Sequence, residues 1–178
     1  ETLTSIVLAV EPNLWSGGFN LRSLAIDQSP ITNYTIEPLS QKLEIPLPQP
    51  LPPSGTITIT MTYALILPQM QAYSNPNEVR PQIYGYSDRQ INFVDWYPFI
   101  VPYINGWVLH DEYYLGEHLV YDAADFDVNV KTTEAGIIFA TSGVSESNGE
   151  WARYRLYGAR SFALSASDQF QFVEATSG

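Results

Sequence analysis

The chain contains two histidines, and they lie close together in the sequence. His110 and His118 bracket the segment His110-Asp-Glu-Tyr-Tyr-Leu-Gly-Glu-His118. Zinc peptidases commonly hold their metal with two His at i and i+4 on a helix beside a Glu. A spacing of eight is too long for one helical turn, and Gly116 interrupts it, although a strand or a hairpin could bring the two rings together. The favoured interpretation is two ordinary surface or edge histidines, so we expect no metal and no cofactor in this chain.

Carboxylates are concentrated in one stretch of the sequence. Loops rich in acidic residues can bind calcium through several oxygens, but the spacing here matches no EF-hand loop. A solvated acidic face is therefore favoured over an ion site. Two carboxylates could also perform glycoside hydrolysis, but such pairs occur in any acidic protein, and sequence spacing does not show their separation in space. The acidic residues are Asp111, Glu112, Glu117, Asp122, Asp125, Asp127 and Glu134.

Nucleophilic and phosphate-binding motifs are absent from the sequence. A serine hydrolase elbow needs G-x-S-x-G between a strand and a helix. The segment Gly143-Val-Ser-Glu-Ser147 lacks the closing glycine, and no G-x-G-x-x-G or G-x-x-x-x-G-K-[ST] loop is present. We therefore expect no catalytic residue in this chain.

Charge and composition exclude further classes of function. The 178 residues carry 19 Asp plus Glu against 8 Lys plus Arg, a formal net charge of −11 that repels nucleic acid. The chain has no cysteine, which excludes disulfides and thiolate metal sites. It also begins at Glu1 without an initiator methionine or a basic leader, which indicates a processed or excised segment.

The most distinctive stretch is rich in aromatic residues and runs from Phe93 to Trp107. Its large rings could form a sugar-stacking platform or a protein interface, because Trp and Tyr are enriched at binding hot spots. The alternative, which we favour, is that they fill a core and anchor an irregular loop. The candidate structural or interface residues are Trp96, Tyr97, Pro98, Gly106 and Trp107.

Hydrophobic alternation predicts an all-β fold. The clearest strand is Thr56–Tyr63, in which threonines alternate with Ile57, Ile59, Met61 and Tyr63. Many short strands separated by turn residues predict an antiparallel β-sandwich, as a single domain over residues 1–178. Five prolines in Pro46–Pro53 predict a rigid connection within that domain. The other predicted strands are Ser5–Val10, Phe19–Ile26, Leu43–Leu47, Asp125–Thr132, Gly136–Thr141, Trp151–Leu156 and Arg160–Ala166.

Short motifs along the chain resemble, in the same order, the amino-terminal domain of the membrane alanyl aminopeptidase family. These are the zinc gluzincin aminopeptidases, which include the leukotriene hydrolase relatives. The resemblance covers about residues 1 to 175. Its motifs are Leu43-Glu-Ile-Pro-Leu-Pro-Gln-Pro-Leu51, Asp95-Trp-Tyr-Pro98, Gly106-Trp107, Gly116-Glu117, Asp125-Phe-Asp-Val128, Ala140-Thr-Ser-Gly143, Ala159-Arg-Ser-Phe-Ala163 and Ser167-Asp-Gln-Phe170.

The resemblance implies an elongated, non-catalytic β-sandwich that packs against a catalytic domain of the same chain and helps to form its substrate cavity. Zinc and the peptide substrate then belong to the parent protein, because H-E-x-x-H is absent here. The parent would be an aminopeptidase-like hydrolase, extracytoplasmic or membrane-associated. The alternative is a free-standing sandwich for binding or adhesion to carbohydrate or protein.

Overall fold

The computed structural model describes residues 1–70, 83–109, 122–148, 150–171 and 173. Over these residues the chain forms short strands, one 3₁₀ helix at Glu11–Leu14 and no α-helix. No helix in this part of the chain is long and apolar enough to cross a membrane. The strands are β1 (Leu3–Ala9), β2 (Phe19–Ile26), β3 (Ser29–Pro30), β4 (Thr35–Ile36), β5 (Lys42–Leu51), β6 (Ile59–Leu65), β7 (Gly85–Tyr86), β8 (Ile91–Phe93), β9 (Phe99–Ile100), β10 (Ala124–Val130), β11 (Ile138–Thr141), β12 (Val144–Asn148), β13 (Trp151–Ala159) and β14 (Leu164–Ser167).

The strands form four sheets, and neighbouring strands within each sheet run antiparallel. Two sheets, ordered β4-β5-β1-β9 and β3-β2-β6, belong to a first compact unit. The other two, ordered β10-β13-β12 and β11-β14-β8-β7, belong to a second. The single domain over residues 1–178 stays a prediction.

The first unit is a β-sandwich, because one apolar cluster draws its side chains from both of its sheets. Strands β1 and β5 contribute Ile6, Leu8 and Ile45, and β2 contributes Leu24 and Ile26. Removing such side chains from water is the main favourable term in folding, at about 25 cal/mol per Å² of apolar surface. The cluster therefore holds the two sheets of this unit together.

Strand β1 is buried on both faces from Ile6 to Ala9, whereas hydrophobic alternation over Ser5–Val10 predicts one buried and one solvated face. Its residues Ile6 and Leu8 face the sandwich cluster, and Val7 and Ala9 pack with Phe99 in a second cluster. A continuous apolar run of this kind suits a strand that has no solvated face.

Strand β6 has the register that the threonine alternation predicts. Ile57, Ile59, Met61 and Tyr63 are half-buried and pack against the sandwich cluster, whereas the intervening threonines are exposed. The predicted inward and outward faces are confirmed, whereas strand β6 itself begins at Ile59, three residues after the predicted start at Thr56.

The hairpin between β2 and β3 turns over two residues with positive φ. Asp27 and Gln28 have φ of 46° and 70°, as expected for a two-residue type I′ turn. The Asp27 carboxylate accepts a hydrogen bond from the Thr58 amide at 2.8 Å, and the Asp27 amide donates to the Thr58 carbonyl at 2.9 Å. The turn is thereby tied to the start of β6.

The prediction that Pro46–Pro53 forms a connecting loop is wrong for most of that segment. Strand β5 continues to Leu51, and it pairs with β1 at Pro46 and again at Leu51. The pairing register shifts between these two points, where prolines cannot donate to the ladder. Strand β4 pairs with β5 only at Leu43 and Glu44. The proline-rich half of β5 therefore has β1 as its neighbour on one side only, which is the position in which strands tolerate proline.

The second unit packs around Phe162, which precedes β14. The Phe162 ring lies 5.9 Å from that of Phe126, centroid to centroid. Phe126, Val128 and Val130 are half-buried on one side of β10, as their alternation predicts. A Cβ at Gly143 would lie 3.0 Å from the Phe162 ring, so glycine allows this close approach.

Candidate interface loop

The aromatic segment forms an irregular loop of the first unit, and we call residues 95–109 the aromatic loop. It is fixed near its middle by β9, whose residues Phe99 and Ile100 pair with Ala9 and Leu8 of β1. The Val101 amide continues this pairing by donating to the Val7 carbonyl at 3.2 Å. Phe99 and Val101 are buried against β1, which anchors the loop.

Three consecutive rings of the loop pack edge to face. Trp96 and Tyr97 have centroids 5.4 Å apart at 82°, and Tyr97 and Phe99 are 6.5 Å apart at 70°. Such T-shaped contacts suit the charge distribution of aromatic rings. Burial raises the pKa of Tyr63 to about 12, and the nearby Tyr97 adds to this rise. The Tyr63 phenol therefore stays neutral at physiological pH.

The far end of the loop is a tight turn. Tyr103 and Trp107 form an antiparallel bridge, with ring centroids 5.1 Å apart at 80°. The Ile104 amide donates to the Gly106 carbonyl at 2.8 Å, and Gly106 has a φ of 144°, which favours glycine. The Tyr103 hydroxyl donates to the Glu1 carboxylate at 2.8 Å, and this bond is the main cause of a raised Tyr103 pKa.

All five residues singled out from the sequence are half-buried: Trp96, Tyr97, Pro98, Gly106 and Trp107. Tyr97 packs against the second cluster, and Trp107 packs against both clusters of the unit. Their assignment as structural or interface residues stays a prediction. The exposed large hydrophobic side chains of the loop are Tyr103, which is one of the rings of the aromatic segment, and Ile100 and Ile104, which the sequence patterns did not single out.

We expect Trp107→Ala to destabilise the chain by about 2 to 3 kcal/mol, below the value for a fully buried tryptophan, because its ring is only partly covered. Ile104→Ala, in the same turn but 68% exposed, should change stability by less than about 0.5 kcal/mol. Urea unfolding of both variants tests this, and equal effects would show that Trp107 contributes no packing.

The residues considered for metal binding do not form a site in the described part of the chain. Within those residues, no group of three His, Asp or Glu side chains is placed to hold a metal ion. Asp125 instead accepts a hydrogen bond from the Gly158 amide at 2.8 Å. Several of the residues considered lie outside the described residues, namely His110, Asp111, Glu112, Glu117 and His118.

Asp127 on β10 is the centre of an ion-pair network with β13. Its carboxylate accepts hydrogen bonds from Nε and Nη2 of Arg153, and Arg155 Nε lies 3.5 Å from Asp127 Oδ2. Hydrogen bonding to Arg153 is the largest cause of the lowered pKa of the Asp127 carboxyl, and the charges of both arginines lower it further.

This lowered pKa predicts a pH dependence of stability. A carboxyl whose pKa is lower in the folded state stabilises the fold above its unfolded pKa, near 3.8, and loses that contribution as pH falls through the folded value. The melting temperature of Asp127→Asn should therefore lie below that of the wild type at pH 7, and the gap should narrow below about pH 3.8. The exposed Asp168→Asn is the control, and an equal, pH-independent gap in both variants would contradict the prediction.

The sheets and their pairings define an all-β protein built from antiparallel strands, as the sequence predicts. Comparison with solved structures finds this fold within M1 zinc metallopeptidases. The chain is similar to the M1 zinc metallopeptidase from Deinococcus radiodurans, with 18% sequence identity and a TM-score of 0.57, over 94% of this chain and 35% of that one.

Two further structures have the same coverage, each at 15% identity and a TM-score of 0.53. One is a two-domain M1 zinc metallopeptidase mutant bound to L-tryptophan, and the other is a mutant from Deinococcus radiodurans bound to a Tyr-Ser-Ala substrate. No family model and no curated protein sequence matches the chain. The chain thus spans about a third of the length of these metallopeptidases, and the likeness is one of fold.

Proposed function

We propose that this chain is the non-catalytic, amino-terminal β-sandwich domain of a zinc metallopeptidase of the aminopeptidase type. The observation that carries the proposal is the asymmetry of coverage: 94% of this chain matches only 35% of an M1 zinc metallopeptidase. A match of that kind is expected when a chain corresponds to one domain of a larger enzyme. The order of the sequence motifs supports the amino-terminal position and the alanyl aminopeptidase subtype.

The natural partner of such a domain is a catalytic domain in the same chain. One of the similar structures is described as a two-domain M1 zinc metallopeptidase, which supports an intramolecular partner. Packing against that partner would let this domain form part of the wall of the substrate cavity. The peptide substrate would then meet this domain only in the parent protein.

The zinc of the parent does not fit the residues of this chain. A catalytic zinc site needs three converging protein ligands, and the two histidines here are eight residues apart. H-E-x-x-H is absent from the sequence, so the metal and the hydrolytic chemistry are assigned to the catalytic domain.

Reading the parent gene tests the assignment directly. An H-E-x-x-H motif encoded downstream of Gly178 supports it, whereas a stop codon immediately after Gly178 contradicts it. Deleting residues 1–178 from the parent then tests the role in the substrate cavity, because the isolated catalytic domain should show a raised KM for aminoacyl anilides. An unchanged KM would overturn that role.

The purified 178-residue chain should bind no stoichiometric zinc and hydrolyse no aminoacyl anilide, because its two histidines are eight residues apart and the sequence predicts no third ligand that converges with them. Metal analysis after dialysis and a chromogenic assay measure both properties, with the chelator-treated and zinc-loaded parent as the control. Tight binding of one zinc per chain would contradict the expectation.

The alternative of a free-standing module that binds carbohydrate or protein through the aromatic loop is not favoured. Tyr97 and Trp107 are half-buried and packed against the clusters of the first unit. Rings held in this way are poorly placed to act together as an open stacking platform.

A further inference from the structure

The sheet β10-β13-β12 of the second unit has one face that presents aromatic and charged side chains to solvent. Along β13, Tyr154 is buried, while Trp151 and Tyr157 are 45% and 67% exposed. The strand register places Asp127 and Val144 on either side of Arg155, and Asn129 and Glu146 on either side of Arg153. We call these side chains the outer face: Asp127, Asn129, Val144, Glu146, Trp151, Arg153, Arg155 and Tyr157.

A β-bulge sets the position of Tyr157. The pairing of β10 with β13 shifts between Phe126, which faces Leu156, and Ala124, which faces Ala159. Tyr157 and Gly158 together oppose Asp125, so β13 carries one extra residue here. Gly158 has a φ of 59°, and its amide donates to the Asp125 carboxylate. Bulges of this kind re-aim side chains and are frequent next to functional sites. The Tyr157 ring in this bulge lies largely in solvent.

The charged groups on the outer face are held in place by one another. Asp127 binds Arg153 through two hydrogen bonds, and Glu146 accepts a hydrogen bond from Arg155 at 3.4 Å. At the Trp151 end, Lys131 pairs with Glu150 at 2.6 Å and lies 5.9 Å from the centre of the indole ring. The outer face with this flanking pair therefore presents an ordered array of donors and acceptors between two exposed rings.

The charges of this array determine which ligands suit it. Its three cations, Lys131, Arg153 and Arg155, balance the carboxylates of Asp127, Glu146 and Glu150, and Asp125 at the bulge adds one further carboxylate, in a chain whose net charge is −11. A polyanion or an anionic membrane would be repelled by the whole chain and find no excess of positive charge here. A tightly packed protein partner would desolvate the ion pairs, and the cores of such interfaces are depleted of charged residues.

From these observations we propose that the outer face binds a neutral polysaccharide. The C–H faces of sugar rings would stack on Trp151 and Tyr157, which lie about 20 Å apart along the strand and so suit an extended chain of several sugar units. The fixed guanidinium and carboxylate groups between them would donate to and accept from hydroxyls while staying partly hydrated. This activity goes beyond the proposed peptidase role and does not depend on it.

Affinity electrophoresis of the 178-residue chain tests the proposal. Native gels would contain xylan, mixed-linkage β-glucan or galactomannan as neutral probes, and alginate as an acidic probe. At least one neutral probe should retard the wild-type chain, and alginate should not. Trp151→Ala and Tyr157→Ala should each weaken that retardation at least tenfold, as expected for the loss of a hot-spot aromatic.

Matched variants separate binding from folding. Tyr157→Phe keeps the ring and should retain most of the retardation, and Tyr86→Ala removes an exposed tyrosine of the same unit from another sheet and should leave it unchanged. Circular dichroism and thermal melting establish that each variant is folded. The proposal is overturned if no neutral probe retards the wild type, if retardation survives both alanine substitutions in folded protein, or if only alginate retards it.

Discussion

Ile45→Asp should leave the first unit unfolded at 25 °C. Ile45 is 0% exposed, lies in β5 opposite Ile6, and belongs to the cluster that joins the two sheets of the sandwich. A carboxylate there would have no water and no cationic partner in that cluster, and burying it costs several kcal/mol, comparable with the whole stability of a typical domain.

Hydrogen exchange of the β1 and β5 amides measures this effect within the first unit. The matched control is Thr60→Asp, which places the same charge on the exposed side of β6, where only a small change is expected. If the β1 amides are protected from exchange equally in Ile45→Asp and in the control, the cluster does not hold the unit together.

Phe162→Ala should destabilise the second unit by about 3 to 5 kcal/mol, through the lost transfer free energy and the cavity left behind. Phe162 is 1% exposed and packs against Phe126 and the Gly143 backbone. Urea denaturation monitored by hydrogen exchange in β10 and β14 measures the loss. The control is Tyr157→Ala, which removes a ring of similar size that is 67% exposed and should lower the free energy of unfolding by less than about 1 kcal/mol. Similar losses of stability in both variants would contradict the packing of Phe162.

Local patterns predicted the strands whose side chains alternate. Strand β2 begins and ends at Phe19 and Ile26, as its pattern indicates, and β6 has the predicted faces. The sequence does not predict the proline-rich half of β5 as a strand, because proline disfavours regular pairing. Proline is tolerated where a strand has a neighbour on one side only, and that arrangement is visible only in the folded sheet. The predicted strand Arg160–Ala166 begins later, at Leu164, because Phe162 turns into the core before the strand starts.

The candidate surfaces were harder to predict because they depend on pairing between distant segments. Gly158 within the strand pattern is a local signal for a bulge, but only the pairing shows that Tyr157 and Gly158 of β13 oppose Asp125 of β10. The burial of Phe99 likewise follows from its pairing with Ala9 of β1, a contact that alternation within the aromatic segment does not show.

The burial of β1 on both faces affects how the first unit forms during synthesis. Residues 3–9 leave the ribosome before the strands with which they pair, and their pairing with β5 becomes available once residues 42–51 have emerged. The other edge of β1 pairs with β9, and this pairing forms later because Leu8 pairs with Ile100, 92 residues further along the chain. Until then one apolar side of β1 has no cover from Phe99 and Val101, so the nascent chain carries an adhesive strand. Slow translation between residues 51 and 101 should therefore increase the demand for chaperones that bind short apolar segments.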